Sequence, residues 1–386
     1  MQITEGIAYI GVNDHDIDLF EGQYDVRQNG MSYNSYVVLG QKVAVLDTVD
    51  GGFVDEWLGK LDGALDGRTP DYLVVHHMEP DHSAGIAAFM ERYPAAQVVA
   101  SAPAFKMMAA YFGTDFADRR VVAKEGFKLD LGGHALTFIG AANVHWPEVL
   151  FSFEATTRTL FSADGFGKFG ALDVEDSEGW AHEARRYYFG IVGKFGRNVQ
   201  AVLKKAAGLD IARICPLHGP VLDQELGYYL DLYNTWSSYE PEDKGVTVCF
   251  SSVYGHTRQA ALELASALQE RGQKVCVFDL ARDDMSEAVE DAFRYDRLVL
   301  ASVTYNGDVF PFMSTFIHAL AEHAYQNRTV ALMESGTWAP AAAKAMRAQL
   351  EQMKGLAVAE QVVTVRGSLD DASRAQIAAL ADELCA

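Results

Sequence analysis

The sequence is poor in the features that mark several common protein classes. Cysteine is scarce: four residues in 386, Cys215, Cys249, Cys276 and Cys385, scattered and with no CxxC pair. That argues against disulfides, zinc knuckles and cysteine-held iron–sulfur clusters. No apolar run approaches the roughly 20 residues needed to cross a bilayer. The N-terminus, MQITEGIAYIG, has neither the basic segment nor the cleavage pattern of a secretory signal, so the cytoplasm is the expected location. Positive charge is short as well, with 32 Lys and Arg against 53 Asp and Glu, a net charge of −21. Such a surface repels nucleic acid and anionic membranes and suits a soluble enzyme. The balance of 49% hydrophobic and 22% charged residues is that of a folded protein, and the length points to two or three domains.

The two halves follow different patterns. The first is rich in short strands, among them IAYIGV, SYNSYVVLG, KVAVLDTV, YLVV, QVVAS, ALTFIGA, LFSFEAT and TLFSADG, with helical segments expected at Phe53–Leu61, Ile86–Arg92 and Pro103–Tyr111. That mixture predicts two packed sheets with helices outside. From about Val246, strands (VTVCFSSV, KVCVFDL, RLVLASV, TVALMES, AVAEQVVTV) alternate with helical stretches at Thr257–Arg271, Met285–Phe293, Met313–Tyr325, Ala341–Met353 and Asp370–Leu384. Five strands with alternating helices predict a doubly wound parallel sheet. The polar, proline-bearing Ser237–Gly245 reads as the linker, giving domains at 1–244 and 245–386.

One stretch crowds ionisable groups. In VVHHMEPDHSAG the apolar run YLVV leads into His76, His77, Glu79, Asp81 and His82, on a loop at a strand's C-terminal end. Alternate residues of an extended loop point the same way, so one group can hold His77, Glu79 and Asp81 together, with His82 turned towards a second centre. Further ligand types stand after later strands: His145 in ANVHWPE, Asp164 in LFSADGFG and His218 in CPLHGP. A lone histidine after a strand is most often a packing or surface residue. A seven-residue cluster followed by three such sites is the complement for two metals with one bridging carboxylate.

A second constellation lies in the C-terminal half. SSVYGHTRQAA places Ser252, Val253, Tyr254, Gly255, His256 and Thr257 at a strand-to-helix turn, where backbone N–H and hydroxyl groups suit a phosphate. This turn lacks the Gly-x-Gly-x-x-Gly of dinucleotide binders, which disfavours NAD. Two more loops, with Ser302, Val303, Thr304, Tyr305, Asn306 and Gly307 in one and Ser335, Gly336, Thr337 and Trp338 in the other, bring aromatics to the carboxyl edge of the sheet, where ligands bind in such folds. FMN, flat and phosphate-bearing, is the expected ligand.

The HxExDH cluster with its later His, Asp and His resembles the metallo-β-lactamase superfamily, whose hydrolases carry HxHxDH. Here Glu79 stands in place of the second histidine, and a hard anionic ligand favours iron over zinc. The C-terminal half resembles flavodoxin. The pair, an αββα sandwich followed by a flavodoxin-like sheet, resembles the flavodiiron proteins, or A-type flavoproteins. The likeness runs over essentially the whole chain, through GVNDHDIDLFEG, SYNSYVV, HWPE, RRYYFGIVGKF, LHGP and SYEPE. It implies that His77, Glu79 and His145 hold one iron, that Asp81, His82 and His218 hold the other, and that Asp164 bridges them. It implies a reductase of O2 to water, of NO to N2O, or of both, with two Fe ions and FMN as cofactors. With no rubredoxin or flavin-reductase extension after residue 386, the expected class is the minimal two-domain one. Rubredoxin, reduced coenzyme F420 or a flavin reductase are the donors the resemblance offers, and a head-to-tail homodimer or dimer of dimers the assembly. His76, Tyr187 and Tyr188 are expected as groups beside the metals, and the basic stretch Arg185–Lys205 as a docking patch for an acidic donor. The alternatives are a zinc-dependent hydrolase with a fused flavodoxin-like domain and an electron-transfer flavoprotein with a vestigial metal site.

Overall fold

The computed structural model describes residues 1–386, and packing divides it into two compact units. The first comprises Met1–Tyr188 and Phe195–Asn234; the second comprises Phe189–Lys194 and Thr235–Ala386. The boundary expected at 244/245 falls inside the strand Asp243–Ser251, and the chain enters the second unit about ten residues earlier.

The first unit contains two sheets. One has seven strands in the order Gln2–Thr4, Ile7–Tyr9, Tyr36–Leu39, Val43–Leu46, Tyr72–Val74, Gln97–Ser101, Arg120–Ala123. The other has five: Lys128–Asp130, Ala135–Gly140, Leu150–Glu154, Thr159–Phe161, Arg213–Cys215. Residues of both, including Tyr36, Val38, Leu46, Val74, Phe138, Leu150, Phe161 and Cys215, share one core. The central strands YVVL, VAVL and LFSFE are almost wholly buried. The first two read as continuous apolar runs, as strands buried on both faces do, while the third carries the buried Ser152 and Glu154. Val43–Leu46 and Tyr72–Val74 run parallel, so the segments after them, with Asp47 and His76–His82, leave the first sheet at one edge. In the second sheet, Ala135–Gly140 and Thr159–Phe161 are both antiparallel to Leu150–Glu154, and Arg213–Cys215 is parallel to Thr159–Phe161. The turns with His145, Asp164 and His218 therefore also leave by a common edge.

The second unit is a doubly wound sheet of five parallel strands in the order Val275–Asp279, Asp243–Ser251, Tyr295–Tyr305, Thr329–Ser335, Ala357–Val365. That is the 2-1-3-4-5 order of flavodoxin-like folds. Its helices, His256–Glu270, Met285–Arg294, Pro311–Glu322, Ala342–Leu350 and Asp371–Cys385, lie within a few residues of those expected. The third strand differs: instead of stopping near Val303 it continues to Tyr305 and turns back as a short hairpin onto Asp308–Val309. Asn306 and Gly307, at φ +51° and +78°, form the tight turn that Asn-Gly pairs favour. In the first unit the helices Trp180–Tyr187 and Gly196–Ala206, and the helix Leu226–Ser237 that runs on into the second, join the three expected ones.

The loop that carries His218 is clamped by the segment Ser32–Tyr36. Asn34 donates from Nδ2 to the carbonyls of Pro216 (2.9 Å) and Gly219 (2.7 Å), and its N–H reaches Leu217 O at 2.8 Å. The Tyr36 hydroxyl donates to Pro216 O at 2.7 Å, and Ser32 Oγ accepts from the Gly219 N–H at 2.8 Å. All three side chains are buried, and buried carbonyls stripped of donors cost about 1–3 kcal/mol each. Pro216 O keeps Tyr36 when Asn34 is lost, so Asn34→Ala is expected to destabilise the first unit by about 2 kcal/mol. Denaturant unfolding of the variant checks this; an unchanged midpoint would show that the loop holds itself.

Candidate functional site

The seven residues His76–His82 of the crowded stretch reach their places by two conformations. Glu79 is extended (φ −59°, ψ 141°), and Pro80, at the first helical position, starts the single turn Pro80–Ser83. Up to Glu79 side chains alternate; beyond it they rotate about 100° per residue. This corrects the expectation that Asp81 joins His77 and Glu79: it joins His82 instead. The ligand-type atoms form two groups, His77, Glu79, His145 and Asp164 in one, and Asp81, His82 and His218 in the other, each within 4.8 Å of one another.

In the first group Glu79 Oε2 lies 3.2 Å from His77 Nε2 and 3.0 Å from His145 Nε2. In the second, Asp81 Oδ2 lies 3.4 Å from His82 Nε2 and 3.3 Å from His218 Nε2. Asp164 stands between them. Its Oδ2 is 3.1 Å from His145 and 3.3 Å from His77, and its Oδ1 is 3.3 Å from His82 and 3.9 Å from His218. One carboxylate thus presents an oxygen to each group.

The side chains are nearly or wholly buried. Burial by itself would lower the pKa of His77, but Asp164, Glu148 and Glu79 outweigh it and raise the pKa well above the usual histidine value. The same balance raises His82, through Asp81 and Asp164, and takes His145 to about 9 through Asp164 and Glu79. Against the opposing effect of burial, the histidines hold Glu79 and Asp164 below the ordinary carboxylate range. Both Asp81 oxygens and Asp164 Oδ1 are buried without a hydrogen bond, and the facing Nε2 atoms lie only 3.4 Å (His77, His145) and 3.0 Å (His82, His218) apart. Clustered anionic oxygens and converging imidazole nitrogens fit a pair of cations.

His76 does not face this cluster with a free nitrogen. Its Nδ1 meets Asp47 Oδ2 at 2.6 Å and its Nε2 meets Ser152 Oγ at 2.8 Å, all three residues buried. Asp47 Oδ1 also accepts the N–H of His76 (2.7 Å) and of His77 (3.3 Å), fixing the backbone from which the cluster starts. Tyr187 packs on His218 with ring centroids 5.4 Å apart. Burial, and then Asp164, Glu79 and Asp81, keep its phenol protonated. Tyr188 packs instead on Tyr233, centroids 5.1 Å apart. Sequence reading missed Asp47 and Glu148; the second lay in the quoted HWPE, where a carboxylate three residues after a ligand-type histidine was the available signal.

The basic stretch Arg185–Lys205 is not one exposed patch. Arg185 and Arg186 are buried, the latter donating to Glu183 Oε2 (2.8 Å) and Asp25 O (2.9 Å). These guanidiniums lie on the inward face of Trp180–Tyr187, a register that the sequence does not reveal. Lys194, Arg197, Lys204 and Lys205 are exposed, and Lys205 pairs with Glu125 at 2.6 Å.

In the second unit, the three expected loops all follow parallel strands and so share the sheet's carboxyl edge. Gly255, at φ +93°, takes a turn that other residues resist, and it opens the helix His256–Glu270. Ser252 Oγ accepts from its N–H at 3.1 Å. Thr257 is buried and shares a 2.8 Å hydrogen bond with Ser335, tying the first loop to the third. Thr304 Oγ1 accepts from the N–H of Ala341 (2.9 Å) and Ala342 (3.2 Å), tying the second to the third. Val303 and Gly336 are half-buried, while Val253, His256, Asn306, Gly307 and Thr337 are exposed and Ser302 is buried. Tyr254 and Trp338 are each 90% exposed and Tyr305 46%. Large rings left in water at a helix N-terminus fit a planar, phosphate-bearing ligand.

Residues 31–219 match the family described as ODP family beta lactamase, and residues 247–373 match the flavodoxin domain. A protein named nitric oxide reductase from Moorella thermoacetica is 28% identical over 372 residues, covering 94% of this chain and 92% of that one. Diflavin flavoprotein A 1 of a Synechocystis species is 33% identical over 294 residues, 75% of this chain; the match spans about half (51%) of that longer relative. The solved rubredoxin oxygen:oxidoreductase of the anaerobe Desulfovibrio gigas superposes with a TM-score of 0.93 over 100% of this chain and 97% of that one, at 23% identity, which shows a shared fold. The order of the two matched domains and the two ligand-type groups meeting at Asp164 agree with these likenesses, and the chain belongs to the family of flavodiiron proteins, the A-type flavoproteins.

Proposed function

We propose that this protein is an oxidoreductase that reduces O2 to water, NO to N2O, or both, using electrons taken in through FMN. The observation that carries the reading is Asp164, one buried carboxylate with an oxygen towards each of two His-and-carboxylate groups. His77, Glu79 and His145 are assigned to one iron, Asp81, His82 and His218 to the other, and Asp164 to both. Ser252–Thr257 take the FMN phosphate, and Ser302–Gly307 with Ser335–Trp338 flank the ring. The irons supply a place for the small substrate to bind and a store of electrons, and the flavin divides electron pairs into single steps. The chain itself keeps the centre buried and orients the ligands. The Tyr187 hydroxyl, protonated and without a hydrogen-bond partner, is a donor beside the His218 group. Relatives and structures named nitric oxide reductase and rubredoxin oxygen:oxidoreductase support both the substrates and a small redox protein as donor.

Glu79 separates this reading from a zinc hydrolase with a fused domain. Purified protein is expected to be yellow, with one FMN and two irons per chain, and to consume O2 or NO when reduced. Glu79→His is expected to shift occupancy from iron to zinc and abolish reduction. Metal analysis of the variant decides the point: iron retained with full turnover would remove Glu79 as the determinant.

Protonation gives an independent test of the site. The raised pKa of His145, about 9, means that it carries a proton in the metal-free site at neutral pH. A metal needs the neutral ring. Metal binding must therefore release protons below about pH 9, and affinity must fall as the pH falls. Calorimetry of metal uptake in two buffers of different ionisation enthalpy measures the release, and the part due to His145 should fall away as the pH rises through about 9.

The assembly proposed is a head-to-tail homodimer in which the flavin of one chain serves the irons of the other. A closed two-fold arrangement uses both sites twice. Two variants test it: His77→Ala with His82→Ala, lacking iron ligands, and Gly255→Val with Thr257→Val, lacking the phosphate turn. Each homodimer should be inactive, and the mixed dimer should regain roughly half the activity, one working pair of sites out of two. A folded mixed dimer without turnover would mean that electrons stay within one chain.

A further inference from the structure

The two ligand groups are not supported alike. His77 donates its Nδ1–H to Glu148 Oε1 at 2.8 Å, and the Met78 backbone N–H donates to the same oxygen at 2.9 Å. Glu148 is buried, and its Oε2 has no hydrogen-bond partner, so its interactions are concentrated on this one anchor. The bond fixes the tautomer of His77 and leaves the Nε2 lone pair facing Glu79 and Asp164. Glu148 also lies three residues after His145 in the same turn. It therefore ties together the two loops that bring His77 and His145 into one group. The second group has no equivalent. His218 donates Nδ1–H to a neutral carbonyl, Ser32 O, at 2.7 Å, and His82 Nδ1 is buried with no partner. The second group faces Asp81 and the shared Asp164; the first faces Glu79 and Asp164 with Glu148 behind it.

A carboxylate behind an imidazole raises the ring's basicity and holds its orientation, and losing such a partner typically costs about 10- to 100-fold in metal affinity. We infer that Glu148 is a positioning residue that makes the His77–Glu79–His145 centre the tighter of the two, the first to fill and the last to empty. The inference rests on the metal-centre reading above and adds an order of occupancy to it. Iron at the His82–His218 centre is then the more readily exchanged, and one-iron protein carries its metal beside Glu148.

Iron release from the intact, FMN-loaded protein tests this. Under anaerobic conditions the reduced wild type is mixed with excess chromogenic ferrous chelator, and absorbance reports the iron released. Two phases of equal amplitude are expected. In Glu148→Gln the slow phase should accelerate about 10- to 100-fold and the fast phase stay unchanged. FMN content and far-UV circular dichroism should match wild type. Glutamine retains an acceptor for His77 and Met78, so a role confined to folding would leave release unchanged. Glu148→Asp, which keeps the charge but withdraws it by one methylene, should also speed the slow phase, and serves if the glutamine variant does not fold. A single phase in the wild type, an unaltered slow phase in a folded variant, or acceleration of the fast phase alone would each overturn the inference. Wild-type protein that takes up no iron from excess ferrous ion would instead remove the metal-centre reading, and the role of Glu148 with it.

Discussion

Everything in the first unit is arranged around the charge of Asp164. A carboxylate with no exposed surface cannot stay ionised in an apolar interior unless opposite charge surrounds it. Here four imidazoles converge on it, and with them come Glu79 and Asp81, so the cluster gathers anions and cations in one dry space. Without metal, protons on the histidines balance the carboxylates, which is why His77 and His145 are raised and Glu79 and Asp164 lowered. Cations held by these residues would do the same work, since several lone pairs of the cluster face each group. The donor set fits metal, and protons balance it otherwise.

The backbone that carries this cluster is held from outside it. Asp47 fixes the start of the His77 segment through two N–H groups. Ser32, Asn34 and Tyr36 hold the His218 loop through its carbonyls and an N–H. Glu148 joins the His77 and His145 loops. None of these side chains is among the two ligand-type groups, yet Asp47 and Glu148 stand in turns next to strand ends and Ser32, Asn34 and Tyr36 stand at or beside the ends of short strands. Asp47 follows the strand next to the one that leads into His77, whereas Glu148 and the Ser32–Tyr36 segment reach across from one sheet to a loop of the other.

The second unit solves the opposite problem. Its ligand edge is open, and no buried charge is needed to define it. The parallel sheet gathers three loops, Thr257 with Ser335 and Thr304 with the Ala341–Ala342 backbone lock them together, and Tyr254 and Trp338 are left in water. Apolar area of that size in solvent is unfavourable at about 25 cal/mol per Å², and covering it contributes to whatever ring binds there.

Much of this was legible in the sequence because the relevant patterns are local. Periodicity alone separates the strand-rich half from the alternating half, and the strand-to-turn positions of His77, Glu79, His82, His145, Asp164 and His218 follow from apolar runs ending in polar turns. The pairing of Asp81 with His82 was not read from spacing, since Pro80 replaces an alternating strand by a helical turn just where the period matters. The burial of Arg185 and Arg186 was hidden for a related reason: a helix's inward face depends on what packs against it, and the Asp25 carbonyl that accepts from Arg186 comes from a distant part of the chain, while Glu183 sits one turn away on the same helix. Sequence by itself determined the two fold classes and the inventory of ligand-type residues. Only the tertiary structure decided which carboxylate faces which imidazole, and that Asp47 and Glu148 stand behind the cluster, because contacts between residues tens of positions apart are set by the register of strands and the direction of turns and leave no periodic trace along the chain.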